Sequence, residues 1–376
     1  MKRIEFGELR IGEIAKDHIL DCLSRNWISM GPKVELLEEK FAEIMDSRYA
    51  VGLSSGTAAL TATTLSLPEL SKKKVRPHKS KVICPALGFI ANSTSIISGK
   101  LLPKWVDIKP ESLNIDENLV EDAIDGDTVA IYAIGTMGLP ANLPKLKEIA
   151  DRHDLVLFED ACENYGASIN GVKSHKYAIG GCSSLFQAHL VQAAEFGLVF
   201  TDDEKFRDLL VSIRSHGRQG KSAYFYHERF GSNFKPTDLC ASIGLEGVAQ
   251  FHENIKARKK IWYELVEFTQ KWKDQAWFSN EPEGYEVMPH GFSITVKPAT
   301  RKISDLISIF DENYIHWKRN FGFCGDHPAL SEYDDLDDYQ WAKWCGNNGI
   351  HIGCHRFLSH DDVDRMKECL AEFFEG

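Results

Sequence analysis

No apolar run in these 376 residues approaches the roughly 20 positions that a membrane-spanning helix requires, which excludes a protein built on such helices. The opening stretch, MKRIEFGELRIGEIAKDHIL, lacks the apolar core and small-residue cleavage site of a secretory signal, and a cytoplasmic protein is expected. Basic residues are outnumbered 44 to 55, for a net charge of −11, so nucleic acid and anionic membrane surfaces are poor default partners. Nine cysteines are scattered without a CxxC pair, and Cys22, Cys84, Cys162 and Cys182 sit in apolar surroundings. Reduced core residues are expected there rather than disulfides or metal ligands. Internal repeats and low-complexity linkers are also missing. One further absence is local: no lysine occurs between Lys176 and Lys205. In the middle of that gap, within SSLFQAHLVQAAEFGLVF (183–200), the titratable group apart from Glu195 is His189.

What is present alternates. A hydrophobic content of 43% over this length supports a large core and two lobes. YAVGLSSG (49–56), KVICPAL (81–87), LPKWVDI (102–108), TVAIYAIG (128–135), LVLFEDA (155–161) and GLVFTD (197–202) are short β-rich runs. Between them lie segments of helical spacing, at 57–67, 119–123 and 143–153. Strand and helix in turn predict an α/β fold with a mostly parallel sheet covered on both faces. Around 245–270 the pattern changes to a long charged helix, followed by GFSITVK (291–297) and a helical tail at 361–374. The division expected is a large domain over residues 1–250, N-terminal arm included, and a smaller α/β domain over 251–376.

Ligands of open α/β sheets bind at the carboxyl ends of the strands, so motifs that end strands carry most weight. SSGTAAL (54–60) follows a strand and opens a helix, where small residues let backbone N–H groups approach an anion. The same letters also serve as an ordinary cap and turn. Asp160 ends an apolar strand, and a buried carboxylate there needs a cation or hydrogen bonds. An N-cap aspartate and a counter-ion for a protonated ring nitrogen both remain open from this stretch alone.

Taken together, SSGT (54–57), CPALGF (84–89), FEDACENYGA (158–167), SSLFQAH (183–189), RSHG (214–217) and GSNFKP (231–236) stand in the order and spacing of one family. From WISMGP (27–32) to the C-terminal helix, the chain resembles the DegT/StrS sugar aminotransferases. These are pyridoxal 5′-phosphate (PLP) enzymes of aspartate-aminotransferase fold type I that act on nucleotide-linked keto sugars. Six residues before Glu195, where the family places the lysine that binds PLP covalently, this sequence has His189. In this it resembles the family's histidine-bearing dehydratase branch, as it does in HIGCHRFLS (351–359). The family's Glu-Gly-Gly reads Glu195-Phe196-Gly197 here, and LVQAA after His189 lacks the usual small hydroxyl residues.

The resemblance implies a cofactor held noncovalently, as PLP or its amine form pyridoxamine 5′-phosphate (PMP). Histidine cannot form the lysine's covalent link, and an imidazole of near-neutral pKa serves as proton acceptor instead. The reaction implied is loss of the C3 hydroxyl from a nucleotide-linked 4-keto-6-deoxyhexose, releasing ammonia, with L-glutamate regenerating PMP. The resemblance further assigns Gly56, Thr57 and Ser184 to the cofactor phosphate and Phe89 to stacking on its ring. It places Asp160 at the ring nitrogen, Glu163 at the ring hydroxyl, and Asn233 on the phosphate of the neighbouring subunit in a homodimer with shared sites. Read without the family, Phe89 is as readily an ordinary core residue. Trp27, Met30, His216, Lys318, Arg319 and His355 are candidates for substrate contacts. No iron–sulfur cluster or other metal is expected, since residues 218–239 hold no cysteine and Cys182 and Cys240 lack companions. Two other functions stay open: an aminotransferase using PMP without a lysine, and a silent family member with a binding role.

Overall fold

The computed structural model describes residues 2–219, 226–333 and 338–376. Its main sheet is built from β1 (Tyr49–Leu53), β2 (Lys81–Pro85), β3 (Leu102–Val106), β4 (Thr128–Ile134), β5 (Val156–Asp160), β6 (Gly181–Ser184) and β7 (Gly197–Thr201). All but β6 coincide with the apolar runs of the sequence. The strand order is β1-β7-β6-β5-β4-β2-β3. Neighbours from β6 to β3 pair in parallel, whereas β7 is antiparallel to both β6 and β1. Every residue of β4 is buried, as expected of a central strand with helices on both faces.

The helices begin where the sequence supplies caps. Asn142 accepts from the Lys145 amide at the start of Leu143–Arg152, and Asp203 accepts from Phe206 N at 2.7 Å before Glu204–Arg214. Ser359 and Asp362 form a reciprocal capping box for His360–Glu375. Two helix expectations need correction. Residues 119–123 form hydrogen-bonded turns, because Asp116 and Asp125 bond to nearby backbone N–H groups and compete with a helix. The long helix of 245–270 is two helices, Asp238–Ala249 and Phe251–Thr269, broken at Gln250, whose ψ of 8° leaves the helical range.

A second sheet joins β8 (Ala276–Phe278), β9 (Gly291–Val296), β10 (Trp317–Arg319) and β11 (Gly349–Gly353) in the order β8-β9-β11-β10, all antiparallel. Its core contains Trp262, Phe292, Ile294, Phe310, Ile350, Ile352 and Phe373. The N-terminal arm reaches this unit, with Ile4 N donating to Tyr314 O at 2.9 Å. Phe323, Leu330, Tyr339 and Ala342 pack instead into the main core, where Ala342 N donates to Asp107 Oδ1 at 2.8 Å. We propose residue 250 as the division between the two cores, with the helix Phe251–Thr269 contributing to both. Among the described residues, no helix is long and apolar enough to cross a membrane. All nine cysteines are unpaired, and seven are buried.

Candidate active site

The carboxyl ends of β1, β5 and β6 converge. After β1, Ser54 and Ser55 lead into the helix Gly56–Leu70, and Ser55 Oγ caps it by accepting from Ala58 N at 3.1 Å. A Cβ on Gly56 would lie 2.9 Å from Ser184 Cβ and 3.2 Å from Cys162 Sγ, so the approach of this turn to the end of β6 requires glycine. Thr57 is exposed in the first helical turn and Ser184 is half-buried across from it. Gly56, Thr57 and Ser184 are thus brought to one helix N-terminus, where amides and dipole favour an anion such as a phosphate.

Asp160 ends β5 and is 6% exposed. Its Oδ1 accepts from Cys162 N at 3.1 Å and its Oδ2 from Asn92 Nδ2 at 3.2 Å. Among the described residues, no lysine, arginine or histidine forms an ion pair with it. The bond to Cys162 N is the local capping role; the unpaired buried charge is what a protonated ring nitrogen would complement. The carboxylate oxygen and thiols of Asp160, Cys162 and Cys182 lie within 4.8 Å of one another. Both thiols are held in the protonated form, Cys162 by the Cys182 thiol beside it and by burial, Cys182 by burial.

Glu163 follows within one turn. Its Oε2 accepts from Met137 N at 2.8 Å, and its Oε1 lies 3.4 Å from His290 Nε2. Burial pushes its pKa up to about 7; the Met137 amide opposes this, the charge of Asp160 adds to it, and Lys318 works against it.

His189 lies in the loop between β6 and β7, its ring 4.8 Å from that of His290 at an interplanar angle of 40°. The residue reaches the surface, yet its Nδ1 is buried and without a partner. Burial pushes its pKa down to about 4, against a raising effect of the Cys162 backbone, with Arg258 and Lys318 adding to the fall. This corrects the near-neutral value expected: the imidazole is desolvated among cations and is neutral at pH 7. The loop is fixed from behind. Tyr165 Oη accepts from Val191 N at 2.6 Å. The buried guanidinium of Arg258 donates to the carbonyls of Ala188 and His189, at 3.4 and 3.2 Å, and to those of Pro289 and His290, at 3.3 and 3.2 Å. Phe196, where the family has glycine, is fully buried beside Gly52, whose Cβ would come within 2.8 Å of the phenylalanine ring. The missing side chain in β1 makes room for the extra one after Glu195.

The remaining candidates divide. Phe89 is 60% exposed, which removes the core reading and leaves its ring face available. Lys318 Nζ stands 4.3 Å from the centre of the Phe6 ring and interacts with Glu163, so β10 turns it towards the site. Arg319, next along that strand, points the other way and donates to Asn347 O at 2.7 Å. His355 is buried against Glu5 O at 3.0 Å and lines a different recess, with Glu8, Arg10, Arg258 and Arg356. Trp27 is exposed, its indole donating to Met30 O at 3.3 Å in the link between the first two helices. His216 and Asn233 are exposed together, joined by the bridge between Ser215 and Asn233. Phe234 O accepts from Ser54 N at 2.8 Å, so this segment runs beside the 54–57 turn of its own chain.

Sequence reasoning missed His290, Asn92, Phe6 and Arg258. His290 stands alone before β9 with no periodic signal. Arg258 does carry one: it occupies the apolar face of its helix, in line with Phe251, Ile255, Ile261 and Leu265.

A doubly covered α/β sheet with a glycine turn opening a helix, a buried carboxylate and an imidazole at its strand ends defines the class, an aminotransferase-type fold. A family model for DegT/DnrJ/EryC1/StrS aminotransferases matches residues 10–371, and the chain belongs to that family. It is 28% identical over 375 residues to GDP-4-keto-6-deoxy-D-mannose 3-dehydratase of Escherichia coli O55:H7, covering 94% of this chain and 95% of that one. It is 27% identical to GDP-perosamine synthase of Caulobacter vibrioides, covering 99% and 98%. The solved structure of the E. coli dehydratase with bound hydrated PLP superposes with a TM-score of 0.88 at 26% identity, over 98% of this chain and all of that one.

Proposed function

We propose that this protein is a PMP/PLP-dependent 3-dehydratase acting on a nucleotide-linked 4-keto-6-deoxyhexose. The observation that carries the reading is the placement of His189: a neutral imidazole with an unpartnered buried nitrogen, in a loop that offers no lysine. Gly56, Thr57 and Ser184 would hold the cofactor phosphate, with Asn233 of a second subunit added in a homodimer. Asp160 would pair with the ring nitrogen, Glu163 with the ring hydroxyl, and Phe89 would cover the ring face. When bound, the cofactor supplies an amine for the C4 ketone and an electron sink. His189 takes up a proton on its imidazole, and its low proton affinity lets it give that proton back to a departing hydroxyl. Lys318 would contact the sugar, and L-glutamate is the amino donor that restores PMP. The work is placed in the cytoplasm, in the making of cell-surface sugars.

An aminotransferase is the second reading, favoured by the likeness to GDP-perosamine synthase over nearly the whole chain. The silent-member reading is disfavoured because Gly56, Asp160 and Ser184, the residues that would hold the cofactor, lie at neighbouring strand ends. Incubation of the PLP-loaded protein with GDP-4-keto-6-deoxy-D-mannose and glutamate separates them. Release of ammonia with a 3-deoxy sugar supports the dehydratase; a stable amino sugar without ammonia overturns it. Borohydride should leave the cofactor unattached, and a reduced lysine adduct in the mass spectrum would contradict the noncovalent site.

A further inference from the structure

Outside the residues already assigned, a buried histidine stands between two of them. His290 is 5% exposed, and its Nδ1 has no hydrogen-bond partner. Its Nε2 is 3.4 Å from Glu163 Oε1, and its ring is 4.8 Å from the ring of His189. A histidine that only filled space would not need a carboxyl on one side and a second imidazole on the other. Nor would it need both loops tied to one guanidinium, as Arg258 ties 188–189 to 289–290.

We propose that His290 is a positioning residue that shares one proton with Glu163 and thereby keeps His189 neutral and ready to act as base. The inference rests on the reading of His189 as the base. Glu163 and His290 hold that proton either as carboxylic acid and imidazole or as carboxylate and imidazolium, their nearest side-chain atoms 3.4 Å apart. Two imidazoles this close in a buried site cannot both be cationic, because each charge raises the cost of the other. The groups facing His290 reinforce this. Arg258 from the helix behind, Lys318 from β10, His351 from β11 and His189 all push its proton affinity down, beyond the effect of burial. Glu163 is the acidic group recorded against it. A proton at the Glu163–His290 pair therefore disfavours one on His189, and uptake of a proton by His189 drives the pair to its neutral imidazole form.

The test is nuclear magnetic resonance of the PLP-loaded protein carrying isotope-labelled histidine, with the His189 signal assigned from His189→Asn. In the wild type, the His189 ring signal should titrate in two steps. A minor step should fall near pH 7, where Glu163 titrates, and a major one near 4. In His290→Gln the minor step should vanish and the major midpoint should rise by about one pH unit, the size of a neighbouring-charge effect. The acid limb of the kcat–pH profile should move by the same amount. A single-step wild-type curve with nothing near pH 7 overturns the proposal, and needs no variant to fold. An unchanged midpoint in a folded His290→Gln overturns it equally. Both signals are read without sugar, so they stand or fall separately from the ammonia assay that decides between dehydratase and aminotransferase.

Discussion

The two walls of the site are held by different means. The wall at Gly56, Asp160 and Ser184 is set by main-chain geometry: strand ends, a helix start, and a glycine whose replacement would drive a Cβ to 2.9 Å from Ser184. The opposite wall, His189 with His290, is set by side chains, with Arg258 joining two loops about a hundred residues apart in sequence. Under the proposed function, the first wall would do a job common to a whole family, holding a phosphorylated ring. The second is where a change of residue type would change the reaction. Binding and chemistry should therefore be separable by mutation.

The largest effect should come from the second wall. His189→Asn should slow turnover by about two to four orders of magnitude, the usual span for a general acid–base group, while cofactor binding stays near wild type. His189→Lys should do more: it should give a borohydride-reducible bond to PLP and abolish dehydration. Turnover of His189→Asn at the wild-type rate would remove His189 as the base. Cofactor lost along with activity would show that the walls are not independent.

Phe196 sharpens the comparison from beneath. It is buried in the core formed with Leu37, Val191 and Leu245, and its backbone carbonyl accepts from Leu185 N at 2.9 Å. Phe196→Ala should cost about 3–5 kcal/mol of stability, as for other buried aromatics, measured by urea unfolding. At temperatures where the variant is folded, kcat should fall far less than in His189→Asn. A fall as large as that one would place Phe196 in the chemistry rather than in the support of the loop.

The main sheet, β6 excepted, was legible because its strands are short, continuously apolar runs buried on both faces, a local pattern that needs no distant partner. The 54–57 turn was legible for the same reason, since SSGT marks a strand end and a helix start within four residues. The second wall was not. His290 is recognisable only through Glu163, 127 residues earlier, and no local pattern marks a pairing across that distance. Arg258 could have been found, as a cation on an apolar helix face, but what it bonds to could not. The depressed pKa of His189 escaped for a similar reason: the cations that add to the effect of burial, Arg258 and Lys318, come from a helix and a strand far along the sequence. The helix misread at 119–123 failed differently, because apolar spacing outweighed the aspartates that divert its backbone N–H groups into turns.

The smallest expected effect is a pH dependence that sets Glu163 against the buried histidines. Glu163 has its pKa raised from 4.5 to about 7 in the folded protein by burial. A raised carboxyl favours folding most when protonated, so its contribution is fully present below pH 4.5 and is lost as pH rises through about 7. His189 runs the opposite way. Lowered from 6.5 to about 4, it contributes fully above pH 6.5 and loses that contribution as pH falls towards 4. His351 and His355, lowered to about 3 and about 4, add to the acid loss. Between pH 7 and 5 the histidines should dominate, and the protein should become less stable on acidification, with Glu163 offsetting part of the fall. Glu163→Gln removes that offset and leaves the histidine terms in place. Its stability deficit relative to wild type should grow by roughly 1–3 kcal/mol on going from pH 7 to 5, in urea titrations at each pH. A deficit that is constant with pH would mean that Glu163 takes up no proton on folding in this range.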